Sequence, residues 1–174
     1  SAGDFAEGIL QLADPLGADC DIIVDDITYI TEPFFRDGVV AQAVETVSSQ
    51  GVTYFSAAGN FGNKAYSAAF TPSALDPGIH DFGAGDILQH VTLPEGSYTV
   101  VLQWEDPVYS IDGLSGAGTD LDIYLADDAG NELFGFNRDN TGADPLEVLS
   151  FVVTAPTSAN IKIRKAAGSN VQFK

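Results

Sequence analysis

One stretch decides the fold class of the first half of the chain: residues 38–58, which read GVVAQAVETVSSQGVTYFSAA. Its valines and alanines recur at helical spacing, so the pattern predicts a helix from Gly38 to Gln50. Gly51 is placed to end this helix, because glycine accepts the left-handed conformation without a Cβ clash. The apolar run from Val52 to Ala58 then predicts a buried strand.

The sequence before this stretch repeats the same order. Residues 4–16 have apolar side chains at helical spacing and stop at Pro15-Leu16-Gly17, and residues 21–27 form a short apolar run. Helix, strand, helix, strand at this spacing predicts a partial parallel sheet with helical crossovers. We therefore expect residues 1–75 to form an α/β domain.

The pattern changes between Thr71 and Phe82, where helical periodicity gives way to short alternating segments separated by Gly, Asp and Pro. This alternation predicts an all-β antiparallel sandwich over residues 76–174. The predicted strands cover residues 91–93, 97–104, 120–125, 132–137, 147–154 and 160–165.

Composition excludes several classes of function. The 174 residues include 25 acidic and 7 basic ones, for a formal net charge of −18. Such a charge repels phosphate backbones and anionic lipids, which argues against nucleic-acid or membrane partners. The 45% apolar content is enough to bury a core, and the single cysteine, Cys20, cannot form an internal disulfide. Methionine is absent, so we expect the chain to be a piece of a larger product.

The segment Ser56-Ala57-Ala58-Gly59-Asn60 follows the second predicted strand. A side-chain amide at the carboxyl end of a parallel strand points toward the crevice where α/β folds bind ligands. Its NH₂ group is a neutral donor that suits an oxygen becoming negative in a transition state. The alternative is that Gly59-Asn60 only begins a turn.

These residues resemble those of the subtilisin-like serine peptidases. The resemblance covers roughly residues 8–66 and rests on Asp21-Ile-Ile-Val24, Ala41-Gln-Ala-Val44, Gly51-Val52 and Phe55-Ser-Ala-Ala-Gly-Asn60. It implies that Asn60 donates to the oxyanion. It also implies that extended substrate binds along Asp26, Ile27 and Thr28, opposite Ala58 and Gly59. The family usually has a Ser-Leu-Gly-Gly-like sequence at this substrate-binding strand edge, whereas this chain has Asp25-Asp26-Ile27-Thr28. The chain is similar in this respect to a subgroup that also has Glu-Pro-Phe-Phe and Asp-Gly, which occur here within residues 32–38.

The strings that carry the family's catalytic triad are absent from the sequence. None of the Asp-Ser/Thr-Gly, His-Gly-Thr and Gly-Thr-Ser contexts occurs. His80 and His90 lie in other contexts and are expected to be surface or packing residues.

The resemblance thus implies a fragment of a secreted, extracellular endopeptidase that acts on polypeptides and is inactive as this chain. The fragment is expected to self-associate through its truncated sheet. The alternative is a non-catalytic binding or adhesion module on a degenerate peptidase scaffold.

The second half resembles the pre-peptidase C-terminal β-sandwich of secreted bacterial peptidases. The similarity lies in Gly118-Thr-Asp-Leu-Asp-Ile-Tyr-Leu125 and the turn that follows it, and it implies a module inserted in the peptidase domain. No cofactor is required, but calcium could bind Asp120 and Asp122, which share a strand face, together with Asp139 and Asp144 and with Asn140 nearby. The alternative is that Leu121, Ile123 and Leu125 face the core while the carboxylates are solvated. Trp104 and Tyr98 are expected to be core or edge aromatics.

Overall fold

A computed structural model describes residues 1–62 and 64–174. The chain divides into two units, Ser1–Ala65 and Tyr66–Lys174. The division falls earlier than the sequence pattern suggested, because Phe70 already belongs to the core of the second unit. The helices are α1 (Ala2–Ala13), α2 (Val39–Ser49) and α3 (Tyr109–Asp112). The strands are β1 (Ile22–Asp25), β2 (Thr53–Ser56), β3 (Ala68–Ala69), β4 (Gln89–Leu93), β5 (Gly96–Gln103), β6 (Asp120–Ala126), β7 (Glu132–Phe136), β8 (Leu146–Val153), β9 (Thr157–Ala167) and β10 (Gln172–Phe173).

The first unit has the predicted order of helix, strand, helix, strand. Helix α1 begins with a capping box in which Ser1 and Asp4 satisfy each other's backbone N–H groups. Helix α2 is followed by Gly51 with a φ of +98°, a backbone conformation that favours glycine. The two helices pack on one side of the strands, around a core that includes Ile9, Ile23 and Val47.

Strands β1 and β2 pair in parallel, with Ile22 opposite Thr53 and Asp25 opposite Ser56. A parallel pair needs a crossover between its strands, and α2 supplies it. This pair of strands does not by itself establish an α/β domain, and most of the regular structure of the chain lies in antiparallel sheets.

The second unit is built from antiparallel sheets, as the alternating pattern predicted. One sheet has the strand order β4-β9-β6-β7, a second pairs β5 with β8, and a third pairs β10 with β3. Leu102 of β5, Leu149 of β8 and Ile123 of β6 contribute to one hydrophobic core. This shared core is consistent with the predicted β-sandwich.

Several short elements of this unit escaped the sequence analysis. Strands β3 and β10 span two residues each, and α3 is one turn of helix in a half expected to hold none. Trp104 is buried in the core, as expected, and its Nε1 donates to the Thr119 carbonyl oxygen at 3.1 Å. Tyr98 is partly buried and stacks on Phe151 at a centroid distance of 5.5 Å.

Candidate functional site

The carboxyl ends of β1 and β2 lie side by side, because the two strands run parallel and end in register. Their last residues are joined by a hydrogen bond of 2.9 Å from Ser56 Oγ to Asp25 Oδ1. The Ala57 backbone N–H also donates to the Asp25 carbonyl oxygen at 3.2 Å. The chain therefore leaves both strands at one edge of the pair, the position at which open α/β sheets bind ligands.

The predicted peptide-binding residues follow these strand ends. Asp26, Ile27 and Thr28 form an irregular exposed segment directly after β1. Gly59 has a φ of +75°, and a Cβ placed there would lie 3.6 Å from Thr28 Oγ1. This distance is an ordinary van der Waals contact, so the two segments lie next to each other.

Asn60 is exposed and lies in a bend after β2 rather than on the strand itself. Ala58, which was also predicted to contact substrate, is exposed in the intervening segment. The amide of Asn60 is therefore accessible to a ligand at this edge, although the strand ends at Ser56, earlier than the sequence pattern indicated.

A cleft of about 780 Å³ opens beside the same edge. The strand ends supply Asp25 and Ser56 to its wall, and Phe34 supplies an apolar surface. Tyr54 also lines the cleft, and burial together with the Asp25 carboxylate raises the pKa of its phenol. The phenol therefore stays protonated at neutral pH.

Neither histidine belongs to this edge. His80 is a buried packing residue of the second unit, surrounded by aromatic rings such as Phe82 and Phe173 at centroid distances of 4.7 and 4.8 Å. The Thr71 backbone N–H donates to His80 Nδ1 at 3.0 Å. The proton of the neutral ring is therefore on Nε2, which lies 3.3 Å from the Tyr66 hydroxyl. His90 lies on β4, also outside the edge.

The second unit buries polar side chains that the sequence analysis expected to be either ligands or solvated. Leu121, Ile123 and Leu125 face the core. Asp120 and Asp122 occupy the alternate positions of β6, yet both are buried rather than solvated. Asp122 Oδ2 accepts a hydrogen bond of 3.3 Å from the Tyr124 hydroxyl.

Glu147 and Asn140 also interact with these two carboxylates. Glu147 and Asn140 are both 0% exposed. The Asn140 backbone N–H donates to Asp120 Oδ1 at 3.1 Å, which ties the loop before β8 to the start of β6. Glu147 was not predicted as a site residue. The signal that could have identified it is its place in an apolar strand: it lies on the same face of β8 as Leu149, which faces the core.

The four buried polar residues interact electrostatically. Burial, followed by the charge of Asp122, raises the pKa of Glu147 to about 8. Burial and the charge of Asp120 raise the pKa of Asp122 to about 6. The pKa of Asp120 is also raised, mainly by burial. Each carboxylate therefore disfavours ionisation of its neighbours.

Asp139 and Asp144 lie outside this buried group. Asp139 is exposed, and its Oδ1 accepts the Thr141 backbone N–H at 2.9 Å. Asp144 Oδ1 accepts the Ser110 backbone N–H at 2.8 Å. These side chains stabilise loops, as Asx residues often do. The charge of Asp139 also contributes to the raised pKa of Asp120, so this exposed side chain acts on the buried pair without being buried with it.

Within residues 1–62 and 64–174, no group of three or more His, Cys, Asp or Glu side chains is placed to hold a metal ion. In the same residues, no helix has the length and apolar character needed to cross a membrane.

No protein-family model matches this chain, and no curated protein matches it either.

Proposed function

We propose that this chain is the oxyanion-side part of a secreted subtilisin-like serine endopeptidase and carries an inserted β-sandwich. The observation that carries the proposal is the exposed Asn60, which follows a parallel strand at the edge where Thr28 approaches Gly59. This arrangement accompanies the motif resemblance described above and supports it. The proposal assigns polypeptide as the substrate class.

In this proposal the chain contributes binding and electrostatic stabilisation. An extended substrate lies along Asp26, Ile27 and Thr28, with Ala58 and Gly59 on its other side. The Asn60 amide donates to the oxygen that becomes negative when a serine attacks the peptide carbonyl. A donor that bonds the oxyanion more strongly than the ground-state carbonyl lowers the barrier of the chemical step.

The β1–β2 pair has an exposed apolar face, which supports the proposal that a further part of the protein packs on the first unit. Ile22, Val24 and Phe55 are 60%, 71% and 57% exposed. They alternate along the strands with Ile23 and Tyr54, which pack against the helices. Parallel sheets are normally covered on both faces. In the proposal the remainder of a peptidase domain covers this face, and in its absence two copies of the chain associate through it.

The reaction also needs a nucleophile, a base bonded to it and a group that orients the base. The sequence contains none of the three motifs that hold these residues in subtilisin-like peptidases. The proposal therefore assigns the triad to segments outside this chain.

The test has a genetic and a kinetic part. The gene should encode a His-Gly-Thr segment before this chain and a Gly-Thr-Ser segment after it. In the product of that gene, Asn60→Ala should lower kcat about 100- to 1,000-fold and leave KM nearly unchanged. Asn170→Ala is the matched control, because Asn170 is an exposed residue of the second unit, and it should leave both constants unchanged.

Two results would refute the proposal. A gene without these segments would favour a binding or adhesion module on a degenerate scaffold. A peptidase whose kcat is unaffected by Asn60→Ala would show that the oxyanion is stabilised elsewhere.

A further inference from the structure

The second unit buries four side-chain oxygens that have no hydrogen-bond partner among the described residues. They are Asp122 Oδ1, Asn140 Oδ1 and both carboxylate oxygens of Glu147. Buried polar atoms are nearly always hydrogen-bonded, and leaving one unpaired costs about 1–3 kcal/mol, more if it is charged. When the two carboxylates are ionised, all four atoms are acceptors, so the partner that stabilises the ionised state must be a donor or a cation.

The three residues come from elements that the fold holds together. Asp122 lies within β6, Glu147 is the second residue of β8, and these two strands are in contact. Asn140 is fixed between them, because its backbone N–H donates to Asp120 and its Nδ2 donates to the Leu146 carbonyl oxygen at 3.1 Å. With Nδ2 bonded in this way, the amide oxygen is the free end of the side chain.

A bound water or a proton satisfies these atoms only in part. A water molecule donates two hydrogen bonds but does not offset the repulsion among Asp120, Asp122 and Glu147. Two arginines act on these carboxylates: the charge and the backbone N–H of Arg138 favour the ionised form of Glu147, and the charge of Arg164 favours that of Asp122. Arg138 is exposed, and its guanidinium carbon lies 5.7 Å from the centroid of the Phe136 ring. The guanidinium of Arg164 pairs with Asp76 and Glu132. A divalent cation would both pair the oxygens and balance the carboxylates.

We propose that Asp122, Glu147 and the amide oxygen of Asn140 bind one calcium ion in the second unit, with Asp120 as a positioning residue for Asn140. Calcium accepts carboxylate and amide oxygens in flexible geometry, whereas zinc favours nitrogen and sulfur. Among the described residues, no three His, Cys, Asp or Glu side chains are placed to hold a metal ion, so binding at this site requires the three ligand side chains to move toward the ion.

The experiment compares chelator-treated protein with protein in millimolar CaCl₂. Calcium bound to the folded state alone should raise the melting temperature by about 5 °C or more. Terbium, which replaces calcium at oxygen sites, provides a second measurement. Tyr124 donates a hydrogen bond to Asp122 and should sensitise terbium luminescence, which excess calcium should quench.

Variants assign both signals to the site. Glu147→Gln and, independently, Asp122→Asn should each abolish the calcium-dependent rise and lower the terbium signal at least tenfold. Glu95→Gln is the matched control, because Glu95 is an exposed glutamate of the same unit that lies outside the proposed site. This control should respond to calcium as the parent protein does.

Identical melting curves in calcium and chelator, with no terbium luminescence, would overturn the proposal. So would a response that persists in both Glu147→Gln and Asp122→Asn, or one that Glu95→Gln abolishes. Since the site lies wholly in the second unit, these results are independent of whether the first unit belongs to a peptidase.

Discussion

Glu147 should make the stability of the second unit fall as the pH rises. Its pKa is raised from an ordinary value of 4.5 to about 8 because the side chain is buried beside Asp122 and Asp120. The unfolded chain therefore loses its proton at lower pH than the folded chain does. The contribution of Glu147 to the free energy of unfolding is fully present below pH 4.5 and is lost as the pH rises toward 8.

The size of this loss follows from the shift. Each pKa unit corresponds to about 1.4 kcal/mol, so the free energy of unfolding should fall by about 3 kcal/mol between pH 5 and pH 8. Glu147→Gln cannot ionise and should remove most of this slope. At pH 8 the variant should be more stable than the parent, and at pH 5 the two should be similar.

The assay is urea unfolding in chelator, which prevents a bound cation from offsetting the carboxylate charges. Fluorescence of Trp104 reports on the second unit, because it is the only tryptophan and is 1% exposed. Glu95→Gln, at an exposed glutamate of the same unit, is the control and should keep the parental slope. A Glu147→Gln variant with the same slope as the parent, or a parent whose stability rises over this range, would refute the reasoning.

Two further predictions concern the histidine cluster and the missing triad. Burial lowers the pKa of His80 despite the opposing charge of Asp81, so its contribution to stability is present above pH 6.5 and lost as the pH falls. Asp122, whose pKa is raised to about 6, has the opposite effect on stability over the same pH range. In the Glu147→Gln background, adding His80→Phe should therefore raise the free energy of unfolding at pH 5 relative to its value at pH 7, compared with the same background that keeps His80; an unchanged pH dependence would contradict this assignment. This chain alone should not be labelled by a fluorophosphonate probe, Ser56 included, as intact mass spectrometry would show; stoichiometric labelling of any serine would place a nucleophile within the chain.

Local periodicity was sufficient to predict most of the regular elements. The spacing of valines and alanines over residues 38–50 identified α2, and glycine at position 51 marked its end. Alternation likewise identified the longer strands of the second unit, because side chains on a strand face opposite sides in turn. Two-residue strands such as β3 and β10 carry no such signal, since they are defined only by their partners across the sheet.

The sequence by itself determined the net negative charge, the antiparallel strands of the second unit and the position of Asn60 after a strand. Tertiary structure alone decided which carboxylates are buried. Alternation along β6 correctly placed Leu121 toward the core, but it could not show that Asp122 on the opposite face is also covered. Asp122 acts on Glu147, which lies on β8 in a different sheet, and contact between sheets is set by the packing of whole strands rather than by local spacing.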